Sequence, residues 1–119
     1  METFRFLKFQ VYQEAKLFNK EIYRLTGNWR GPYRELADQL QRAALSICLN
    51  IAEGSAKSYD KDFRRYLQNS LGSVNETVAC LDIACSMNLI TSGKYDDLVE
   101  KAKNIGKQLG GFSRTLLNR

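Results

Sequence analysis

At 119 residues the chain holds one domain, long enough for a real core and too short for two independent ones. Its 44% hydrophobic and 26% charged residues describe a globular protein in water, and no apolar run approaches the ~20 residues of a membrane span. Eighteen Lys and Arg against thirteen Asp and Glu leave a net charge of +5, and the absence of histidine removes the commonest general base and the commonest transition-metal ligand together.

In chain order, Val11, Ala15, Phe18, Ile22 and Leu25 step by four and three, with Tyr12 beside them and Gly27 as a stop; the spacing predicts a helix over 6–26. Its N-terminal METFRFLKFQ lacks the apolar run and small-residue cleavage site of an export signal, so a cytoplasmic location is expected. Gly31 and Pro32 open a second helix, over 33–53, because proline suits a first turn whose N–H has no partner, and Gly54 is expected to close it as a left-handed cap. Within it, QLQRAALSICLNIAEG keeps Gln39, Arg42, Ser46, Asn50 and Glu53, with Lys57 beyond, on a stripe about 80° wide. Nearly all the rest is Leu, Ile, Ala or Cys. That is wider than the ~100° apolar face of a helix on the outside of a small domain, so this helix is expected at a bundle centre or in a subunit interface.

The third helix, over 60–87, carries Phe63, Leu67, Ser70, Val74, Thr77, Leu81 and Ala84 on a heptad seam, with Leu71, Val78 and Cys85 adjoining. The fourth, over 93–117, places Tyr95, Leu98, Ala102, Ile105, Leu109, Phe112 and Leu116 on another seam, entered through Thr91 and Ser92. No strand-like alternation appears and the loops are short. The fold class is therefore all-α, an antiparallel up-down four-helix bundle in one domain over 1–119. Gly72, Gly106, Gly110 and Gly111 sit inside helical patterns at about 1 kcal/mol each against Ala, which points to close helix contact or a close partner.

Little here is catalytic. Asp60 with Asp62 and Asp96 with Asp97 lie at helix starts, where carboxylates complement the dipole. Cys48, Cys80 and Cys85 form no metal-type or redox-type pair and read as core thiols. No phosphate-binding glycine loop, nucleophile elbow or ligand cluster is present, so no enzyme activity, metal or cofactor is expected. Asn50 and Glu53 need partners if buried, and an Arg from another helix or subunit suits the carboxylate better than Arg42, eleven residues away on its own stripe. Convergence of Arg42, Asn50 and Glu53 from neighbouring subunits would revive an enzymatic reading.

Charge is more informative. Arg5 to Thr26 carries five basic residues against two acidic, and the segment from Thr91 onward six against three. Lys16, Lys20 and Arg24 recur every four residues opposite Val11 and Phe18, and Lys103, Lys107 and Arg114 lie opposite Leu109. Each is a basic ridge that either lines an acidic polymer or is a solvated face. A further cluster, Lys57, Lys61, Arg64 and Arg65 interleaved with Tyr59 and Tyr66, adds cations and stacking surfaces.

These residues resemble the four-helix bundle family of 23S rRNA intervening-sequence proteins over nearly the whole length. The resemblance rests on FQVYQEAKLFNKEIYRLT, on QLQRAALSICLNIAEGSAKS and on DFRRYLQNSLGSVNE. The family pattern is matched by Gln39, Arg42, Ala43, Ala44, Ser46, Ile47, Asn50, Ile51, Ala52, Glu53 and Gly54, then by Phe63, Arg65, Leu67, Gly72, Ser73 and Glu76. Gln41 replaces the first of its usual Arg pair, and Tyr59 stands where a serine usually caps the third helix. The resemblance implies a closed homo-oligomer, a ring of five, without established enzyme activity. The family is in turn similar in fold to the accessory variability protein of diversity-generating retroelements, a basic pentameric barrel that binds nucleic acid and a reverse transcriptase.

Together these readings give a homo-oligomer whose second helix, around Arg42, Ala44, Cys48, Asn50, Ala52, Glu53 and Gly54, forms structural and interface contacts. The basic faces bind RNA or DNA phosphates without base specificity. The alternative is a scaffold that recruits an acidic partner protein, such as a polymerase-like enzyme.

Overall fold

A computed structural model describes residues 2–119. It contains four α-helices, α1 (Gln10–Thr26), α2 (Arg34–Ser55), α3 (Asp60–Ser86) and α4 (Ser92–Leu117), with 3-10 turns at Arg5–Lys8 and Gly31–Tyr33 and no strand among the described residues. The molecule measures 46 × 22 × 20 Å. That length follows from α3, whose 27 residues rise about 40 Å at 1.5 Å each.

The periodic positions fill one core. Phe18 and Ile22 of α1, Leu40, Ile47 and Ile51 of α2, Phe63, Leu67 and Leu81 of α3, and Leu98, Ile105 and Leu109 of α4 are all fully buried. Buried hydroxyls are satisfied rather than stranded: Ser70 Oγ donates to the Ile47 carbonyl, Thr77 Oγ1 to that of Ser73, and Thr26 Oγ1 to that of Ile22 while accepting from Gln41 Nε2. α2 and α3 share the most extensive contact, and α1 and α4 the slightest of the helix pairs in contact.

The caps explain the boundaries. Thr91 caps α4 by accepting from the Lys94 N–H at 3.1 Å, as the sequence predicts. Two boundaries are corrected. The first helix starts at Gln10 rather than residue 6, because Phe9 is extended (φ −73°, ψ 129°) and turns its ring onto Phe63 and Phe112, with centroids 6.3 and 5.1 Å away. The second helix runs on through Gly54 to Ser55, so Gly54 is not a left-handed cap; Gly31 is the one described glycine with positive φ. What Gly54 supplies is room: a Cβ there would lie 2.7 Å from Tyr66 Cβ and 3.0 Å from Phe63 Cδ1.

The other helical glycines do not mark close helix crossings. A Cβ on Gly72 would meet nothing within 4 Å, and one on Gly106 only Leu71 at 3.8 Å. Those on Gly110 and Gly111 would meet the guanidinium of Arg114 at 3.6 and 3.8 Å, so the pair forms a shallow bed for that side chain. Ala44 and Cys48 belong to the core of the protomer itself, which corrects their expected place in a subunit interface. The apolar surface that α2 leaves uncovered is instead Leu45 and Leu49, 38% and 56% exposed, beside half-buried Ala52.

Candidate nucleic-acid interface

The QLQRAALSICLNIAEG motif is mainly a brace between α2 and α3. Gln39 Nε2 donates to Glu76 at 2.6 Å, Ser73 Oγ to Ser46 Oγ at 2.8 Å, and Asn50 Nδ2 to the carbonyl and hydroxyl of Ser46 at 2.9 and 3.0 Å. Asn50 is thereby satisfied inside its protomer. Arg42 and Glu53 point outward on either side of Leu45 and Leu49, exposed and without an ionic partner among the described residues. Arg42, Asn50 and Glu53 therefore do not converge within the protomer.

Which cations share a face follows from the helix contacts. On α1, Glu14 accepts from Asn104 and Gln108 of α4, and Glu21 from Lys101, while Thr26 receives Gln41 of α2. Lys16, Lys20 and Arg24 occupy the remaining, solvent-facing side, with Leu17 and Tyr23 exposed among them. On α4, Lys94, Lys101, Asn104 and Gln108 are spent on α1, and Gly106 faces Leu71 of α3. Lys103, Lys107 and Arg114 lie outward beyond Gly106, within about 100° of it around the helix.

The same reasoning on α3 puts Arg64, Gln68 and Lys61 within about 80° of Leu71, on its α4 side. Phe63 meets Phe112 with ring centroids 5.1 Å apart, and Asp60 meets Arg119. Arg114 is therefore level with the first turns of α3, and Lys107 with Leu71. The structure thus brings Lys61 and Arg64 of the helix-three cluster and the α4 ridge onto one α3–α4 face, leaves Tyr66 against Gly54 of α2, and leaves the α1 ridge on another side of the bundle. Of the acids of these two helices, Asp60 and Asp62 share this end, whereas Asp82, Asp96 and Glu100 stand toward the opposite one.

Within that face, Lys61, Asp62, Arg64, Arg65 and Gln68 line a shallow depression. Arg65 is held 3.7 Å from Asp62, and Arg119 pairs with Asp60 at 2.7 and 2.9 Å. The latter contact, first through its hydrogen bonds, holds the Asp60 carboxyl below the usual carboxylate range. Lys61, Arg64, Lys103, Lys107 and Arg114 have no carboxylate within 4 Å among the described residues. The Nε of Arg64 is buried and has no acceptor there. Lys57 and Arg65 both lie over the ring of Tyr66, 5.1 and 5.7 Å from its centroid. Tyr59 is 72% exposed.

Arg5 belongs to the same end of the molecule and escapes sequence reasoning, because it lies outside any helical period. Its Nε donates to the Ser55 carbonyl at 3.0 Å and its guanidinium sits 5.2 Å from the Phe63 ring centroid. The only signal was a cation set between phenylalanines. No group of three or more Cys, Asp or Glu among the described residues is placed to hold a metal ion, and no described helix is long and apolar enough to cross a membrane.

Compared with known proteins, residues 7–111 match the family profile described as 23S rRNA-intervening sequence protein. A crystal structure of a protein of unknown function from the S23 ribosomal protein family of Bacteroides thetaiotaomicron superposes with a TM-score of 0.80 at 25% identity, covering 87% of this chain and 97% of that one. No curated protein matches the chain.

Proposed function

This chain belongs to the family of 23S rRNA-intervening sequence proteins, and from that membership we propose that it is a non-enzymatic, homo-oligomeric nucleic-acid-binding protein of the cytoplasm. The observation that carries the reading is the α3–α4 face, where Lys61, Arg64, Lys103, Lys107 and Arg114 stand without carboxylate partners among the described residues. Phosphates of structured RNA or DNA supply the complementary charge, and contacts of this type carry no base specificity. The bundle is up-down and antiparallel, a topology supported by the pairing of Asp60 with Arg119, Phe63 with Phe112 and Leu71 with Gly106.

Self-association is supported by α2, and a ring of five is what the family resemblance implies. Leu45 and Leu49 are exposed on an otherwise well-packed helix, and the unpaired Arg42 and Glu53 beside them fit ionic contacts across a subunit boundary. Each subunit then contributes one basic face to the assembly, and a repeated field binds a polyanion more strongly than a single copy.

The test is fluorescence anisotropy of a labelled structured RNA from about 50 to 200 mM salt. Charge reversal at Lys107 and Arg114 should weaken binding and flatten the salt dependence by about 0.7–0.9 per lost phosphate contact. Reversal at Lys16, Lys20 and Arg24 separates the two faces: unchanged affinity in a folded variant removes α1 from the interface. Absence of binding by the wild-type protein at low salt overturns the reading. The alternative, recruitment of an acidic protein, is favoured by the α1 ridge, where Leu17 and Tyr23, 63% and 44% exposed, interleave with Lys16, Lys20 and Arg24 as protein contacts require.

A further inference from the structure

Resting on that nucleic-acid reading, we propose that the α3–α4 face takes single-stranded nucleic acid, with an unpaired base stacked on Tyr59 and the adjoining phosphate held by Arg64 and Lys61.

Tyr59 occupies the N-cap position of α3 in extended geometry (φ −116°, ψ 139°) and makes no side-chain capping bond. Ser, Thr, Asp or Asn at that position would satisfy a free N–H and stabilise the helix by about 1 kcal/mol. The chain forgoes this and places a large aromatic ring there, 72% exposed and paired with no other ring or cation among the described residues. Tyr66 is different in kind: its Cβ packs where a side chain on Gly54 would go, and Lys57 and Arg65 already occupy its ring. Of the two tyrosines in the cluster, Tyr59 has its faces available.

The second element is the depression one turn further along α3. Arg64 and Lys61, with no carboxylate within 4 Å among the described residues, line it together with Asp62, Arg65 and Gln68. A phosphate placed there would receive charge-assisted bonds from the guanidinium and ammonium groups. The acids of the same turn do not oppose an anion at full strength, since Arg119 holds Asp60 and Arg65 lies 3.7 Å from Asp62. An exposed ring at the N-cap of the helix whose first turns carry a cationic depression suits an unpaired nucleotide. In a duplex the base faces are occupied by their neighbours, and only phosphate contacts remain.

The experiment compares labelled oligouridine with an RNA duplex of equal phosphate count, against the wild-type protein and Tyr59→Ala and Tyr59→Trp. Because Tyr59 is exposed, the alanine variant should keep the wild-type melting temperature. Tyr59→Ala is expected to lose about 5- to 150-fold in affinity for oligouridine, to bind the duplex as before, and to be rescued by Tyr59→Trp. Equal losses on both ligands, or no loss on oligouridine, overturn the stacking proposal while leaving phosphate binding in place. If the wild-type protein binds neither RNA, the nucleic-acid reading itself falls, and this inference with it.

Discussion

A Cβ on Gly54 would lie 2.7 Å from the Cβ of Tyr66, so α2 and α3 meet there with no room for a methyl group. Tyr66 Cβ is fixed to the backbone and cannot swing away. In an ordinary helix interior Ala is more stable than Gly by about 1 kcal/mol. At Gly54 the sign reverses, because overpacking costs typically 1–3 kcal/mol. Chemical denaturation should show Gly54→Ala destabilised. Gly72→Ala, where a Cβ would meet nothing within 4 Å, should be stabilised by up to about 1 kcal/mol. A stabilised Gly54→Ala would mean that the two helices are further apart in solution.

Leu49 is more than half exposed on the protomer, so replacing it with Asp should leave helix content and core stability within about 0.5 kcal/mol of wild type. The same change should reduce the proposed oligomer to a smaller species in native mass spectrometry, as should Glu53→Arg. An unaltered mass would remove the Leu45–Leu49 stripe from the proposed subunit interface.

Asp60 has a depressed carboxyl pKa in the folded state, caused first by its hydrogen bonds with Arg119. Its contribution to stability is thus present above the ordinary carboxylate value of about 4 and is lost as pH falls through the lowered one. Arg119→Ala should move the Asp60 titration, followed by carboxyl-carbon NMR, upward toward that value. An unmoved midpoint would show that the pair does not form in solution.

Burial pushes the Cys48 thiol up to about 11, offset only in part by its backbone hydrogen bond and the charge of Lys16, and burial also raises that of Cys80. Thiolate rather than thiol is the nucleophile. At about pH 8 a disulfide reagent should therefore modify half-buried Cys85 first, and Cys48 and Cys80 only on unfolding. Early modification of Cys48 would mean that α1 opens away from α2.

Much of this architecture can be read from local pattern. The heptad seam of α3 and the Thr91 cap need only neighbours three to seven residues away, and both are found where the spacing puts them. Gly54 shows where that reading stops. Glycine serves equally as a left-handed cap or as space for a crossing helix, and only the position of Tyr66 distinguishes the two. Phe9 likewise lies within the helix expected over 6–26, yet its ring packs on Phe63 and Phe112 from distant segments, and that contact sets the start of α1. The basic residues were visible as separate ridges. Their grouping was not, because the level at which Arg114 meets the first turns of α3 is a property of the packed helices.

Phe9, Phe63 and Phe112 also set an order of events. They join the start of α1, the start of α3 and the last turns of α4, so their contacts close long loops of chain. Loop-closure entropy delays such contacts. α2 and α3, connected by a short turn and sharing the broadest contact, do not face that delay. Folding therefore proceeds from the middle pair outward and completes this aromatic cluster late. Phe9→Ala should accelerate unfolding with little effect on the folding rate in stopped-flow kinetics, and the end of the bundle that bears the cations is expected to exchange its amides first.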